Sequence, residues 1–254
     1  MTESNNPNGA ATGWDHLVGR VAEYLEYQRD AGVSEIEMNP EILRSLSMPV
    51  TASVASGPGA AMQAVAARIS SCTRCPLHSS RTKTVPGQGS LRPEIMFIGE
   101  GPGADEDRQG LAFVGRAGQL LTKMITAMGY SRDDVWIGNI VKCRPPGNRV
   151  PAPEEMDACL PYLREQITLL KPKVIVALGA TAVKGLFEGP VAITKMRGKW
   201  LRFEDIDTMP TYHPAYLLRN PPAKREVWED MKEVLRKLGR EVPEKKQDGP
   251  TVGR

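Results

Sequence analysis

Three short apolar runs limit what this chain can fold into: Ile95-Met96-Phe97-Ile98, VWIGNI over 135–140 and KVIVAL over 173–178. Each has the length of a strand. Each is followed by apolar residues at helical spacing, over 115–128, 153–170 and 180–187. A short strand over 200–203, another near 208–212 and a helix from Lys224 to Leu238 continue the alternation. Strands alternating with helices predict an α/β/α sandwich around a mainly parallel sheet.

The 254 residues suit one such domain with extensions. The domain is expected over 61–238, opening with a helix from Ala61 to Ser70. Before it, residues 1–60 read as a disordered start, an amphipathic helix over 14–31 (Trp14, Leu17, Val18, Val21, Leu25) closed by Gly32, and a linker over 45–60. Residues 239–254 read as a flexible polar tail. No apolar run has the length of a membrane span and the N-terminus lacks a signal-peptide pattern, so the expected location is the cytoplasm.

Charge is unevenly spread. Residues 1–50 carry eight acids and three basic residues, whereas the whole chain has a net charge of +3. Basic residues gather at Lys142, Arg144 and Arg149, at Lys195, Arg197, Lys199 and Arg202, and at Arg219, Lys224 and Arg225. They suit a surface that faces nucleic acid, and equally a solvated mixed-charge surface.

The stretch after the first apolar run, GEGPGADEDRQGLAFVGRAGQLL over 99–121, is long and polar for a strand-to-helix crossover. Loops at the carboxyl ends of parallel strands are where α/β proteins carry chemistry. Glycines at 99, 101 and 103 let a ligand approach the backbone. The acids Glu100, Asp105, Glu106 and Asp107 can orient a water or offset a cation, and Phe113 can stack on a flat ring. GEGPG is neither the dinucleotide fingerprint nor a phosphate loop.

Only four cysteines occur: Cys72 and Cys75 as C-x2-C, then Cys143 and Cys159 as C-x15-C. Four thiolates suit a tetrahedral zinc or a cubic iron–sulfur cluster, and the spacing does not separate the two. Lys142 and Arg144 flank Cys143 and are expected to favour its thiolate. The bound group would staple the N-terminal arm to one end of the sheet. Of the three histidines, His213 stands out because it follows a strand and opens HPAYLLR. There Tyr216 and Leu217 beside Arg219 suit a wedge entering a base stack, or else the leucines pack in the core. Asn139, at the end of the second run, can read a base edge or simply close a turn.

Together GEGPGADEDRQGLAFVGRAGQLL, GNIVKCRPPGNRVP, HPAYLLR and the cysteine spacing closely resemble the family 4 uracil-DNA glycosylases, the iron–sulfur branch of their superfamily. The resemblance covers about 61–238. It implies a three-layer α/β/α fold around a four-stranded parallel sheet, and a 4Fe–4S cluster on Cys72, Cys75, Cys143 and Cys159. It also implies hydrolysis of uracil from DNA to leave an abasic site in base excision repair. By position, the resemblance groups Glu100, His213 and Glu106 as catalytic, Glu106 as the support of the first-motif loop. Gly101, Phe113 and Asn139 would bind uracil. Arg144, Arg149, Tyr216, Leu217 and Arg219 are then expected to face the DNA. The expected partner is uracil-containing DNA, met by a monomer without a membrane. Two other classes fit parts of the sequence: a metal-stapled nucleic-acid-binding module without glycosylase activity, and a small hydrolase of free nucleotides.

Overall fold

The computed structural model describes residues 58–187 and 189–243. The helix expected over 14–31 and most of the linker lie outside these residues, as does the end of the tail. The chain divides into two units at Val54 and Ala55, and the second unit contains everything described below.

Helix α1 (Pro58–Ser70) leads through a short 3-10 turn to strand β1 (Gln88–Gly89) and strand β2 (Ile95–Gly99). Helices α2 (Ala104–Gln109) and α3 (Arg116–Ala127) precede β3 (Trp136–Asn139), and α4 (Pro153–Leu170) precedes β4 (Val174–Leu178). Then follow α5 (Ala180–Leu186), α6 (Ile193–Met196), β5 (Leu201–Phe203), β6 (Ile206–Thr211), α7 (Pro214–Arg219) and α8 (Lys224–Lys237).

The sheet has the order β1-β3-β2-β4-β6-β5. Its four inner strands are parallel, as expected, and two short antiparallel strands extend it to six. The edge strand β1 was not legible because two residues carry no alternation. Gly89 is what allows it: a side chain there would bring Cβ to 1.9 Å from the Val135 carbonyl oxygen, at a φ of +129°.

Alternation along the strands divides the core between the two faces of the sheet. Met96, Ile98, Ile175 and Ala177 meet the layer containing α1, α4 and α5. Ile95, Phe97, Val174, Val176 and Leu178 meet the layer containing α3 and α8. Both faces are dry, which is why the runs are continuously apolar. Parallel register then fixes the site. Gly99 pairs with Asn139 and Leu178 with Thr211, so Glu100, Asn139 and His213 leave the same end of the sheet.

The crossover after β2 is partly helical rather than loop. Asp105, Glu106 and Asp107 fill the first turn of α2, where carboxylates suit the positive end of the helix dipole. Gly110, at a φ of +80°, closes it. At the other end of the chain, Arg240 pairs with Glu94, so the segment after Gly239 begins anchored.

Candidate active site and cysteine cage

A cavity of about 440 Å3 opens at the carboxyl end of the sheet, lined by Glu100, Gly101, Glu106, Phe113, Asn139 and His213, with Arg149, Tyr216 and Arg219 also contributing. Three sequence-distant motifs therefore meet in one place. A larger hollow of about 1040 Å3 lies elsewhere, around Glu94, Tyr130 and Arg240. It holds no comparable chemistry: Lys173, Arg240 and Tyr130 all bond Glu94, chiefly the two cations holding its carboxyl down at about 2.

Asn139 is 1 % exposed, and its Oδ1 is buried without a hydrogen-bond partner among the described residues. A buried amide oxygen left unpaired is costly, and in native proteins it calls for a partner or a function. Its place is held by parallel pairing, continued past the strand end by Ile140 N–H to Gly99 O (2.9 Å) and Val141 N–H to Glu100 O (3.1 Å). Glu100 borders the cavity, half-buried, and its carboxylate makes no hydrogen bond among the described residues.

His213 caps α7. Its Nδ1 accepts the Ala215 N–H at 3.1 Å, so Nδ1 carries no proton and Nε2–H is the ring's donor. Burial, and then the Arg219 charge, push its pKa down to about 4. The ring is therefore neutral at neutral pH. Phe113 lies against it, with ring centroids 5.7 Å apart and planes tilted by 32°.

Glu106 was grouped with the catalytic residues by its motif, but both its oxygens are engaged by backbone. Oε1 accepts the Val114 and Gly115 N–H groups at 2.9 and 2.8 Å, and Oε2 accepts Gly103 N–H at 3.1 Å. It is a brace that folds the crossover over the cavity.

The basic and apolar residues sort differently from the sequence reading. Leu217 is 1 % exposed and packs in the core, so it is not a wedge. A single turn of α7 points Leu217 inward and leaves Tyr216 and Leu218 outward at 38 % and 37 % exposure. Arg149 is half-exposed but forks onto Glu155 at 2.6 and 2.8 Å, and Arg144 donates to Asn148 at 2.8 Å. Arg197 pairs with the buried Asp230 rather than facing outward. Lys142 is not on the surface at all: it is 1 % exposed, and its Nζ donates to the Asn139 carbonyl and to Gln166 Oε1, both at 2.8 Å.

All four cysteines line a third and much tighter pocket, of about 10 Å3. Cys143 and Cys159 are buried, Cys72 and Cys75 half-buried. The cation that touches Cys143 is Arg81, a residue the sequence did not single out. Its Nη1 donates to Cys143 Sγ at 3.2 Å and to Cys72 O at 2.8 Å, and its Nη2 to Ser70 O at 2.9 Å. Lys142 and Arg144 do not serve Cys143 as expected. Lys142 instead donates its backbone N–H to Cys159 Sγ at 3.3 Å. Burial pushes the Cys75 and Cys143 thiols up and that of Cys159 to about 11, against the pull of Arg81 and Lys142. Among the described residues no three His, Cys, Asp or Glu side chains are grouped to hold a single metal ion.

Comparison with known proteins agrees with this geometry. The family model described as the uracil DNA glycosylase superfamily matches residues 86–232. A type-4 uracil-DNA glycosylase of Thermotoga maritima is 50 % identical over 179 residues, covering 68 % of this chain and 92 % of that protein. One of Sulfurisphaera tokodaii is 46 % identical over 182 residues, covering 68 % and 83 %. A type-5 uracil-DNA glycosylase of Pyrobaculum aerophilum stands further off, at 31 % identity over 203 residues, covering 67 % and 88 %. The chain therefore belongs to the uracil-DNA glycosylase superfamily, and within it to the type-4 branch.

Proposed function

We propose that the protein removes uracil from DNA by hydrolysing the N-glycosidic bond and leaves an abasic site, as a monofunctional repair glycosylase. The observation that carries this reading is the unpartnered Oδ1 of Asn139, buried beside Phe113 and His213. A base must leave the stack to reach such a cavity. Uracil then offers its N3–H to Asn139 Oδ1, while Phe113 supports its face. Cytosine has an acceptor at N3, so two acceptors meet, and a mispaired buried group costs about 1–3 kcal/mol.

Bond cleavage passes the electron pair of the C1′–N1 bond to the base and leaves cationic character on the sugar. The neutral His213 donates its Nε2–H to the charge developing on the base, in the manner of an oxyanion hole. A neutral donor suits this task because its proton stays on the ring. Glu100 is placed to offset the sugar cation and to orient the attacking water. Arg219, Arg149 and Tyr216 at the cavity rim, with Arg144, are assigned to the DNA backbone and to the gap left by the base.

The cysteine cage fits a 4Fe–4S cluster, held by Cys72, Cys75, Cys143 and Cys159. Four thiols lining one pocket are the all-cysteine donor set such a cluster would take. N–H groups from Arg81 and Lys142 aimed at sulfur suit bound thiolates. The cluster's chemistry here is a structural cross-link between the segment after α1, the segment after β3, and α4. In this reading residues 61–238 form a monomeric cytoplasmic glycosylase domain, with 1–60 and 239–254 as extensions.

The test is a single-turnover incubation with an oligonucleotide holding one uracil, followed by alkali, with cytosine and thymine controls. Strand cleavage at uracil alone, with free uracil released, is the expected result. Binding without release would make the chain a nucleic-acid-binding module instead.

A further inference from the structure

Phe113 has a φ of +53°. This left-handed conformation is strained for a bulky residue and persists only where the surroundings enforce it. The enforcing contacts come from two sides. Glu106 holds the N–H groups of Val114 and Gly115, just after Phe113. The other side is Arg132, in the turn between α3 and β3. Its Nη1 donates to the Phe113 carbonyl at 3.2 Å and to Thr122 Oγ1 at 2.9 Å, and its Nη2 donates to the Ala112 carbonyl at 2.7 Å. Thr122 is itself oriented by donating to Gly118 O at 3.0 Å. Gly118 gives the Phe113 carbonyl its seat, since a Cβ there would fall 1.9 Å from that oxygen.

We propose that Arg132 is a positioning residue for base recognition: its planar fork clamps two successive carbonyls and thereby fixes the Phe113 ring where the base must stack. Arg132 does not line the cavity, so it acts through Phe113 and not on the substrate. The fork is needed because one guanidinium reaches both carbonyls and Thr122 at once, which an ammonium cannot do in the same plane. The proposal rests on the glycosylase reading for its kinetic consequence, but the conformational consequence stands apart from it.

Two readouts test it on the full-length protein. The chain has four phenylalanines, so fluorine-labelled phenylalanine gives a short spectrum in which Phe113→Leu identifies the Phe113 signal. In Arg132→Ala that signal should move or broaden while those of Phe97, Phe187 and Phe203 stay in place. Single-turnover uracil excision should fall about ten- to a hundredfold, the range expected for misplacement near a reacting group, with binding of uracil-free DNA held within about twofold. Arg132→Lys should fall between. In a Phe113→Ala background, Arg132→Ala should add less than about threefold, because the two residues act as one unit. Should Arg132→Ala fail to fold, Thr122→Val removes the acceptor that orients the fork and is read the same way. An unmoved Phe113 signal, or losses that multiply fully in the double variant, overturns the proposal. A wild-type protein that releases no uracil overturns the glycosylase reading instead, and leaves the spectral test to decide the clamp.

Discussion

Gly99 of β2 stands directly opposite Asn139 of β3 in register. A Cβ at Gly99 would lie 2.5 Å from Asn139 Oδ1 and 2.5 Å from Phe113 Cζ. One absent side chain therefore keeps open the space between the amide and the ring. Gly99→Ala forces both to move. Overpacking of this kind costs about 1–3 kcal/mol, and here it falls on the groups proposed to read the base. The variant should remain folded, with a modest drop in melting temperature, and should lose uracil excision more than 100-fold (about 3 kcal/mol) in single turnover. Excision near the wild-type rate would show that the gap is not used.

Asn139→Asp tests the amide itself. It keeps the shape but puts a carboxylate in a buried place, and it replaces the one donor group of this side chain by an acceptor. Uracil excision should fall by at least about 100-fold, with DNA binding largely kept. Retained excision would remove Asn139 from base recognition.

His213 makes stability depend on pH in a definite direction. Its folded-state pKa is pushed down to about 4, below the value of about 6.5 in an unfolded chain. Between these values the unfolded chain takes up a proton that the folded one refuses. The contribution of His213 is therefore complete above pH 6.5 and is lost as pH falls towards 4, by up to about 3 kcal/mol. Denaturant unfolding of the wild type and of His213→Gln across this window should give a steeper wild-type slope. Parallel slopes would mean that the ring titrates normally. The excision rate attributable to the neutral ring should hold well below pH 6.5 in the wild type.

Leu217 and Arg219 separate packing from DNA contact on one short helix. Leu217→Ala should destabilise the fold by about 2–5 kcal/mol, as core truncations do, whereas Leu218→Ala should have little effect on stability. Arg219→Ala should weaken DNA binding with a salt dependence shallower by about one unit of slope. An unstable Arg219→Ala or a fully stable Leu217→Ala would reverse these assignments.

Cys143→Ala addresses the cage. The purified variant should lose iron, the associated visible absorption and thermal stability together. Colourless wild-type protein carrying one zinc per chain would refute the cluster.

Much of the fold was legible because buried parallel strands leave an unmistakable trace: 95–98, 135–140 and 173–178 are apolar on both faces, and their common polarity places Glu100, Asn139 and His213 at one end. What was not legible depends on contacts between distant segments. Lys142 and Arg197 look like surface charge in sequence, because a lysine or arginine carries no mark of the carbonyls or the carboxylate that will surround it. Arg132 sits in an unremarkable SRDDV turn, and its role exists only once Phe113 has adopted a positive φ. Arg81 reaches Cys143 across 62 residues. Helix α2 was read as loop because six residues, five of them polar, offer no periodic apolar face. Leu217 was read outward because a single helical turn is too short to reveal which of three neighbours points in.

Lys142 joins two places that the sequence presents as separate motifs. Its backbone N–H meets the sulfur of Cys159, and its Nζ meets the carbonyl of Asn139. The span from Asn139 to Cys143 is thus a strut fixed at both ends, one in the cage and one under Asn139. Slack introduced at the cysteines would be transmitted along four residues to Asn139, so in the proposed function the cysteine cage would set the mechanical tolerance of base reading without taking part in bond cleavage.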